Sequence, residues 1–225
     1  MSEVVQETSI TLAGHELQLL PERAVFWPGR SWLLVADTHW GKCQTLRDAG
    51  AGVPAGPLLA DLDRLRSVAE RTASTRVVVL GDLIHGASSF APGMDDLIQE
   101  WRATLSYDVA LVPGNHDRVM SSPRGRARLD VWRIELLPSV VELDGLRLRH
   151  EPANMASMPT LCGHVHPAVR MRGRGESMKL PCFWYDAANR TLVLPAFSSF
   201  IDGASVKAGP DDDRWAIAGN RVISV

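Results

Sequence analysis

The sequence predicts an α/β fold in which two β-sheets pack face to face with helices flanking them, an α/β/β/α sandwich. Three observations point there. Short apolar runs alternate with helical patterns in the first half of the chain. Short strand patterns with few helices fill the second half. Polar side chains of a restricted kind stand at the ends of the strands.

The elements follow in chain order. ITLAG, HELQLLPE and AVFWP are strand-like, with Gly14 in a hairpin turn. SWLLVAD (Ser31 to Asp37) is a continuous apolar run of strand length, the pattern of a strand covered on both faces. PAGPLLADLDRLRSVAERTA places Leu58, Leu62, Leu65 and Val68 or Ala69 at helical spacing, with a proline near the start. TRVVVLGD (Thr75 to Asp82) is a second covered strand, MDDLIQEWRATL a second helix and DVALVPGN a third strand. Strand, helix, strand, helix, strand implies parallel pairing. SVVELDGLRLRH is a hairpin turning at Asp144-Gly145, and TLCGH, AVRMRG, KLPCFWYD and TLVLPAF are further strands of a mixed or antiparallel sheet. The aspartates at 211 to 213 are expected in a solvated turn. The 225 residues suit a single domain spanning 1–225, large enough to bury a sizeable core.

Composition narrows the function classes. Hydrophobic residues make up 45% and charged residues 22%, with a formal net charge of −2, so no bulk field draws the chain to nucleic acid or membrane. Neither a signal peptide nor a membrane-length apolar run is expected. The three cysteines, Cys43, Cys162 and Cys182, fit neither a disulfide framework nor a CxxC zinc site, and a cytoplasmic location is expected.

The strand ends carry the chemistry. SWLLVAD runs into Asp37-Thr38-His39, TRVVVLGD ends at Asp82, DVALVPGN at Asn115-His116, LRLRH at His150, and TLCGHVH at His164-Val165-His166. Five of the seven histidines lie in these clusters. In α/β sheets, sites form outside the carboxyl ends of strands. In extended backbone, residues two apart share a side, so Asp37 and His39 can grip one ion, and His164 and His166 can face one site. Imidazole with carboxylate and no thiolate suits Mn²⁺, Fe²⁺, Zn²⁺ or Co²⁺. Setting His116 aside, the candidate ligands Asp37, His39, Asp82, Asn115, His150, His164 and His166 exceed one tetrahedral site. They suit two ions about 3.5–4 Å apart sharing a bridging carboxylate, an arrangement that serves phosphoryl hydrolysis.

These motifs, DTH at 37–39, GD at 81–82, GNHD at 114–117, the lone His150 and GHVH at 163–166, resemble the calcineurin-like metallophosphoesterase superfamily over most of the chain. ADTHWGKCQTLRDAGAGVP, GDLIHG, GNHDR, GHVHP and LPCFWYD with LPAFSSF look like its bacterial DNA-ligase-associated branch. After His150 comes Glu-Pro, where many members have His-Gly. The resemblance implies a first ion on Asp37, His39, Asp82 and His166, and a second on Asp82, Asn115, His150 and His164, with Mn²⁺ the expected metal. It implies that His116 contacts the scissile phosphate as proton donor or transition-state stabiliser, and Asp117 is suited either to orient it or to cap the local turn. It further implies a phosphodiesterase or endonuclease acting on nucleic acid, single-stranded DNA above all, with DNA ligase and helicase as partners in DNA repair. A small nucleotide such as a 2′,3′-cyclic nucleotide, a phosphomonoester, and a non-catalytic scaffold role in a repair complex are the competing readings.

Weaker candidates surround that set. Lys42 and Arg47 follow the first motif and could hold phosphate. His85 in GDLIHG either lines the cleft or is an ordinary loop residue. Arg118, Arg124, Arg126, Arg128 and Arg133 form one basic run, and Arg170, Arg172, Arg174 and Lys179 another. Each could track a nucleic-acid backbone or be a solvated face. The tryptophans are expected in the core, except Trp40, which directly follows His39 and is expected at the cleft as a base-stacking platform.

Overall fold

The computed structural model describes residues 5–48, 50, 56–86, 90, 93–154, 157–173 and 176–225; Arg174 of the second basic run lies outside them. The first sheet has its seven strands in chain order: β1 (Thr8–Leu12), β2 (His15–Leu20), β3 (Ala24–Trp27), β4 (Trp32–Val35), β5 (Arg76–Leu80), β6 (Asp108–Val112) and β7 (Ile134–Leu136). Neighbours are antiparallel up to β4 and parallel from β4 to β7. The crossovers carry α1 (Lys42–Asp48), α2 (Pro57–Arg71), α3 (Met94–Ala103) and α4 (Pro123–Val131).

The second sheet is mixed. Across it run β14 (Ala204–Ser205), β11 (Pro167–Gly173), β12 (Glu176–Asp186), β13 (Thr191–Val193), β10 (Thr160–Cys162), β9 (Leu146–Arg149) and β8 (Val140–Leu143). A hairpin of β15 (Asp213–Ala218) and β16 (Arg221–Ser224) pairs with the distal half of β12. Both hairpin turns read from the sequence are present. Ala13-Gly14 and Asp144-Gly145 each have positive φ at both turn positions, the geometry that matches strand twist.

The continuous apolar strands are explained by what lies on either side. Leu33 and Val35 of β4, Val77 and Val79 of β5, and Val109 and Leu111 of β6 face the helices, where Leu62, Leu65, Val68 and Ala69 of α2 and Ile98 of α3 cover them. Leu34, Val78, Leu80 and Val112 face the second sheet, against Leu148, Leu161, Phe183 and Leu192. Among the described residues no helical side chain joins this inter-sheet core or the small Val169-Cys182-Ala216 cluster. The helical cover is therefore seen on the first sheet.

Three local readings change. The aspartates at 211–213 are not simply a solvated turn. Asp212 accepts hydrogen bonds from Trp184 Nε1 (2.9 Å) and from the Ala187 and Gly209 amides, and Asp213 opens β15. The Arg118–Arg133 run contains α4, whose Arg128 is absorbed by a bidentate pair with Asp95 (2.7 and 2.6 Å) above the Phe90 ring. Trp40 is not at the cleft. It is 2% exposed and packs edge-on against Trp101 and Trp132, because the backbone turns at His39 and sends the next side chain under the helices.

Trp40→Ala is accordingly expected to lower the unfolding free energy by about 3–5 kcal/mol in a urea titration. A loss of nucleic-acid binding with stability within about 0.5 kcal/mol of wild type would return Trp40 to the cleft.

Candidate metal centre

The carboxyl ends of strands from both sheets meet at one rim, where the loops they enter are stitched to one another. The Asp37 amide donates to the Gly81 carbonyl (3.0 Å) and the His39 amide to the Asp82 carbonyl (2.9 Å). Gly163 N–H donates to the His150 carbonyl (3.0 Å), and His164 N–H to Asp37 Oδ2 (2.9 Å). The His116 amide donates to Asp82 Oδ1 (2.9 Å). Each chemically distinctive segment is therefore positioned by another one rather than by its own loop alone.

The side chains gather in two groups that could each hold a metal ion: Asp37, His39 and His166, and Asp82, His150 and His164. In the first, His166 Nε2 lies 3.2 Å from Asp37 Oδ1. In the second, Asn115 Oδ1 lies 3.0 Å from His150 Nε2 and 3.1 Å from His164 Nδ1. Asp82 stands between them, with Oδ2 3.7 Å from His39 Nε2 and Oδ1 3.4 Å from His150 Nε2. All seven sequence-derived ligand candidates are thus brought together.

The atoms facing inward fit a cation. Asp37 Oδ1, His39 Nε2 and His166 Nε2 are buried and make no hydrogen bond among the described residues. A buried polar atom left so costs about 1–3 kcal/mol, and three aimed at one place call for a positive partner. His150 donates its Nδ1–H to the Leu80 carbonyl (2.9 Å), which turns Nε2 toward the centre as an acceptor in the neutral ring. Burial pushes the His39 pKa down to about 3 against the pull of Asp82, so its imidazole is neutral and available as a ligand. Burial also opposes charge on His150, but its hydrogen bond to Asp82 and the charges of Asp37 and Asp82 outweigh it and raise its pKa to about 9. The two buried carboxylates demand cationic charge here, and a divalent ion would displace that proton.

The backbone departs from the extended form that the D-x-H and H-x-H spacings imply. Asp37, His39, Asp82, His164 and His166 all have φ between 44° and 71°. Each such non-glycine residue costs on the order of 1 kcal/mol, a kind of strain that concentrates at functional sites. His164 and His166 divide between the two groups, the division that the family resemblance implies and the spacing leaves open, whereas Asp37 and His39 share one. Glycine makes the crowding feasible at three points: a Cβ on Gly81 would overlap the His150 ring, one on Gly114 the Asp82 carboxylate, and one on Gly163 the Asp37 carboxylate.

The family model for calcineurin-like phosphoesterases matches residues 32–182, a span containing every residue of this centre. The chain belongs to the calcineurin-like phosphoesterase family. It resembles the crystal structure of Pseudomonas putida nuclease MPE at 31% identity and a TM-score of 0.79, over 98% of this chain and 100% of that one. Two further solved structures match more distantly. A protein of unknown function from Aquifex aeolicus, AQ665, is 18% identical over 64% of this chain and 81% of its own, with TM-score 0.41. The E. coli phosphoesterase Yfce is 16% identical over 84% and 88%, with TM-score 0.40. No curated protein matches the chain. The protein is a metal-dependent phosphoesterase.

Around that site the phosphoesterase places its other polar residues unevenly. His116 donates Nδ1–H to the His85 carbonyl (2.7 Å), stacks on the His85 ring (centroids 5.3 Å apart) and leaves Nε2 4.0 Å from Asp82 Oδ2. Asp117 does not orient that imidazole. It is fully buried, and its carboxylate accepts the amides of Leu83 (3.2 Å), Ile84 (3.2 Å) and Gly114 (2.9 Å), clamping the GDLI and GNHD loops together. Of the two roles open to Asp117, the contact with the Gly114 amide belongs to the local turn, and the His85 carbonyl does the orienting, a role its side-chain identity could not signal. His39, His85 and His116 form a third close trio, and Lys42 on α1 is near enough to depress the His85 pKa, after burial. Arg47 also lies on α1, while Arg118 is exposed in the 3-10 turn His116–Ser121. In the second basic run Lys179 is paired with Asp202 (2.7 Å), and Arg170 and Arg172 are exposed on β11.

Asp117→Asn keeps the shape but loses one acceptor oxygen, so unfolding stability should fall by about 1–3 kcal/mol. Unchanged urea stability with lost turnover would instead restore an orienting role for Asp117.

Proposed function

We propose that this phosphoesterase is a dinuclear enzyme that hydrolyses phosphodiester bonds in nucleic acid, with single-stranded DNA as substrate and Mn²⁺ in both positions. The observation that carries the reading is the pair of Asp/His groups with the Asp82 carboxylate standing between them. Asp37, His39, Asp82 and His166 would hold one ion, and Asp82, Asn115, His150 and His164 the other. When bound, ions in such a site neutralise phosphate charge and make water a better nucleophile.

The chain's own residues supply the rest. His116 Nδ1–H is committed to the His85 carbonyl, so the ring acts as an acid in its imidazolium form, giving the Nε2 proton to the departing oxygen and relaxing to the neutral Nδ1–H tautomer. The His116 amide on Asp82 Oδ1 fixes the imidazole relative to the shared carboxylate. Lys42, Arg47 and His85 would line the approach on one side of the centre and Arg118 on the other.

The nucleic-acid substrate is supported by the similarity to the Pseudomonas putida nuclease over nearly the whole of both chains. The sequence strings quoted above support the DNA-ligase-associated branch, with DNA ligase and helicase as partners in repair and a cytoplasmic location. No helix among the described residues is long and apolar enough to cross a membrane.

A substrate panel with Mn²⁺ separates the readings: bis-p-nitrophenyl phosphate, single-stranded DNA, a phosphomonoester and 2′,3′-cyclic nucleotides. Turnover of the first two is expected, abolished by EDTA and restored by Mn²⁺. Activity confined to the cyclic nucleotides or the monoester would favour a small substrate, and none at all would favour the scaffold. His116→Ala should cut turnover of a diester with a poor leaving group by about 10²- to 10⁴-fold, and full retention would remove the acid role.

A further inference from the structure

We infer that the cavity beside Asn115 and His150 is a second phosphate-binding subsite, where Arg118 and Arg149 hold a substrate phosphate next to the one being cleaved. The inference rests on the phosphodiesterase reading and deepens it by naming a substrate contact. The cavity measures about 250 Å³ and shares Asn115 and His150 with the metal centre, so it is continuous with the place where the scissile phosphate must sit.

Arg149 is the informative residue. On β9, Leu146 and Leu148 point into the inter-sheet core, which turns Arg147 and Arg149 to the other face. In the β8–β9 register, Arg147 stands opposite Glu142 and is paired with it (2.9 Å), whereas Arg149 stands opposite Val140. The same strand thus neutralises one arginine and leaves its neighbour without a paired carboxylate among the described residues. Arg149 Nε is buried and makes no hydrogen bond among the described residues. A guanidinium N–H held in that state calls for an anionic acceptor.

Arg118 enters the same cavity from the turn after Asn115. Neither arginine makes an ion pair or hydrogen bond among the described residues, and Glu151, the acidic residue of the wall, pairs with neither. Two guanidinium groups against one carboxylate leave the cavity cationic. Their forked donors suit the oxygens of a phosphate. A nucleic-acid strand presents a phosphate at each nucleotide, so cutting one bond brings a neighbour to this position. The group could equally be a terminal phosphate monoester, since the chemistry recognised is the same.

The test compares wild type with Arg118→Ala, Arg149→Gln and Arg149→Lys on five substrates: bis-p-nitrophenyl phosphate, TpT, TpTpT, pTpT and TpTp. The wild type should prefer a substrate carrying a second phosphate over TpT by about 10-fold in kcat/KM, the worth of one good charged contact. The Ala and Gln variants should lose that preference and Arg149→Lys should keep part of it, while Arg149→Gln should keep bis-p-nitrophenyl phosphate turnover within about twofold of wild type. Preference for TpTpT alone identifies an internucleotide phosphate, and preference for pTpT or TpTp alone a terminal one. No preference in wild type, preference surviving in both charge-removing variants, or a parallel fall of Arg149→Gln on bis-p-nitrophenyl phosphate would overturn the subsite.

Binding separates this from the catalytic reading. Fluorescein-labelled oligothymidylate added to metal-free protein in EDTA should bind more weakly to each charge-removing variant, with the slope of log Kd against log salt reduced by about one per arginine. That loss without diester turnover by wild type would remove the phosphodiesterase reading and leave the subsite. Turnover by wild type with no change in binding or substrate preference would remove the subsite alone.

Discussion

The structure turns on one carboxylate. Asp82 is 2% exposed, accepts the His116 amide through Oδ1, and stands between His39 and His150. Burial alone would raise its pKa, but the hydrogen bond and charge of His150, the His116 amide and His39 together hold it low. A buried anion of this kind is stable only with positive charge around it. The first sheet brings the acids Asp37 and Asp82 with Asn115 and His39, and the second brings His150, His164 and His166. The inter-sheet core is therefore part of the chemistry. Leu80, Val112, Leu148 and Leu161 stand within a few residues of the centre, and their packing sets how far apart the acids and imidazoles sit.

Much of this was legible because the polar residues follow apolar strands whose patterns are plain. β4, β5 and β6 lie where the runs around Leu34, Val78 and Ala110 place them, and each leads directly into a candidate ligand. Other features depend on partners distant in the chain. The φ values of Asp37, His39, Asp82, His164 and His166 are set by hydrogen bonds between loops, so the extended reading of D-x-H and H-x-H failed, and with it the placement of Trp40. Asp117 meets the Leu83 and Ile84 amides more than thirty positions away, which its neighbour His116 could not disclose. Helix α4 hid behind its arginines, since Gly125 and Leu129 are its buried residues and too few to show a period. Strand β7 and the β15–β16 hairpin are short elements stabilised by pairing with strands already in place.

The charges near the site follow the same division of labour. Several cations that look available in sequence are committed in the fold: Arg128 to Asp95, Arg147 to Glu142 and Lys179 to Asp202. With a net charge of −2, the molecule offers a substrate no general electrostatic attraction. Recognition must come from a few placed groups beside the centre, which is why Arg118 and Arg149 at its edge, neither of them in an ion pair among the described residues, carry weight beyond their number. The strain at five candidate ligand residues belongs to the same arrangement, for the packed sheets hold side chains where no relaxed loop would leave them.

The most direct test of the account is the location of the metal itself. Crystals grown with Mn²⁺ and measured at a wavelength where manganese scatters anomalously should show two peaks about 3.5–4 Å apart, one on each side of the Asp82 carboxylate. His39 and His166 should border one peak, and Asn115, His150 and His164 the other. A single peak, or a second ion held by His39, His85 and His116 away from Asp82, would contradict the shared-carboxylate centre on which the account depends.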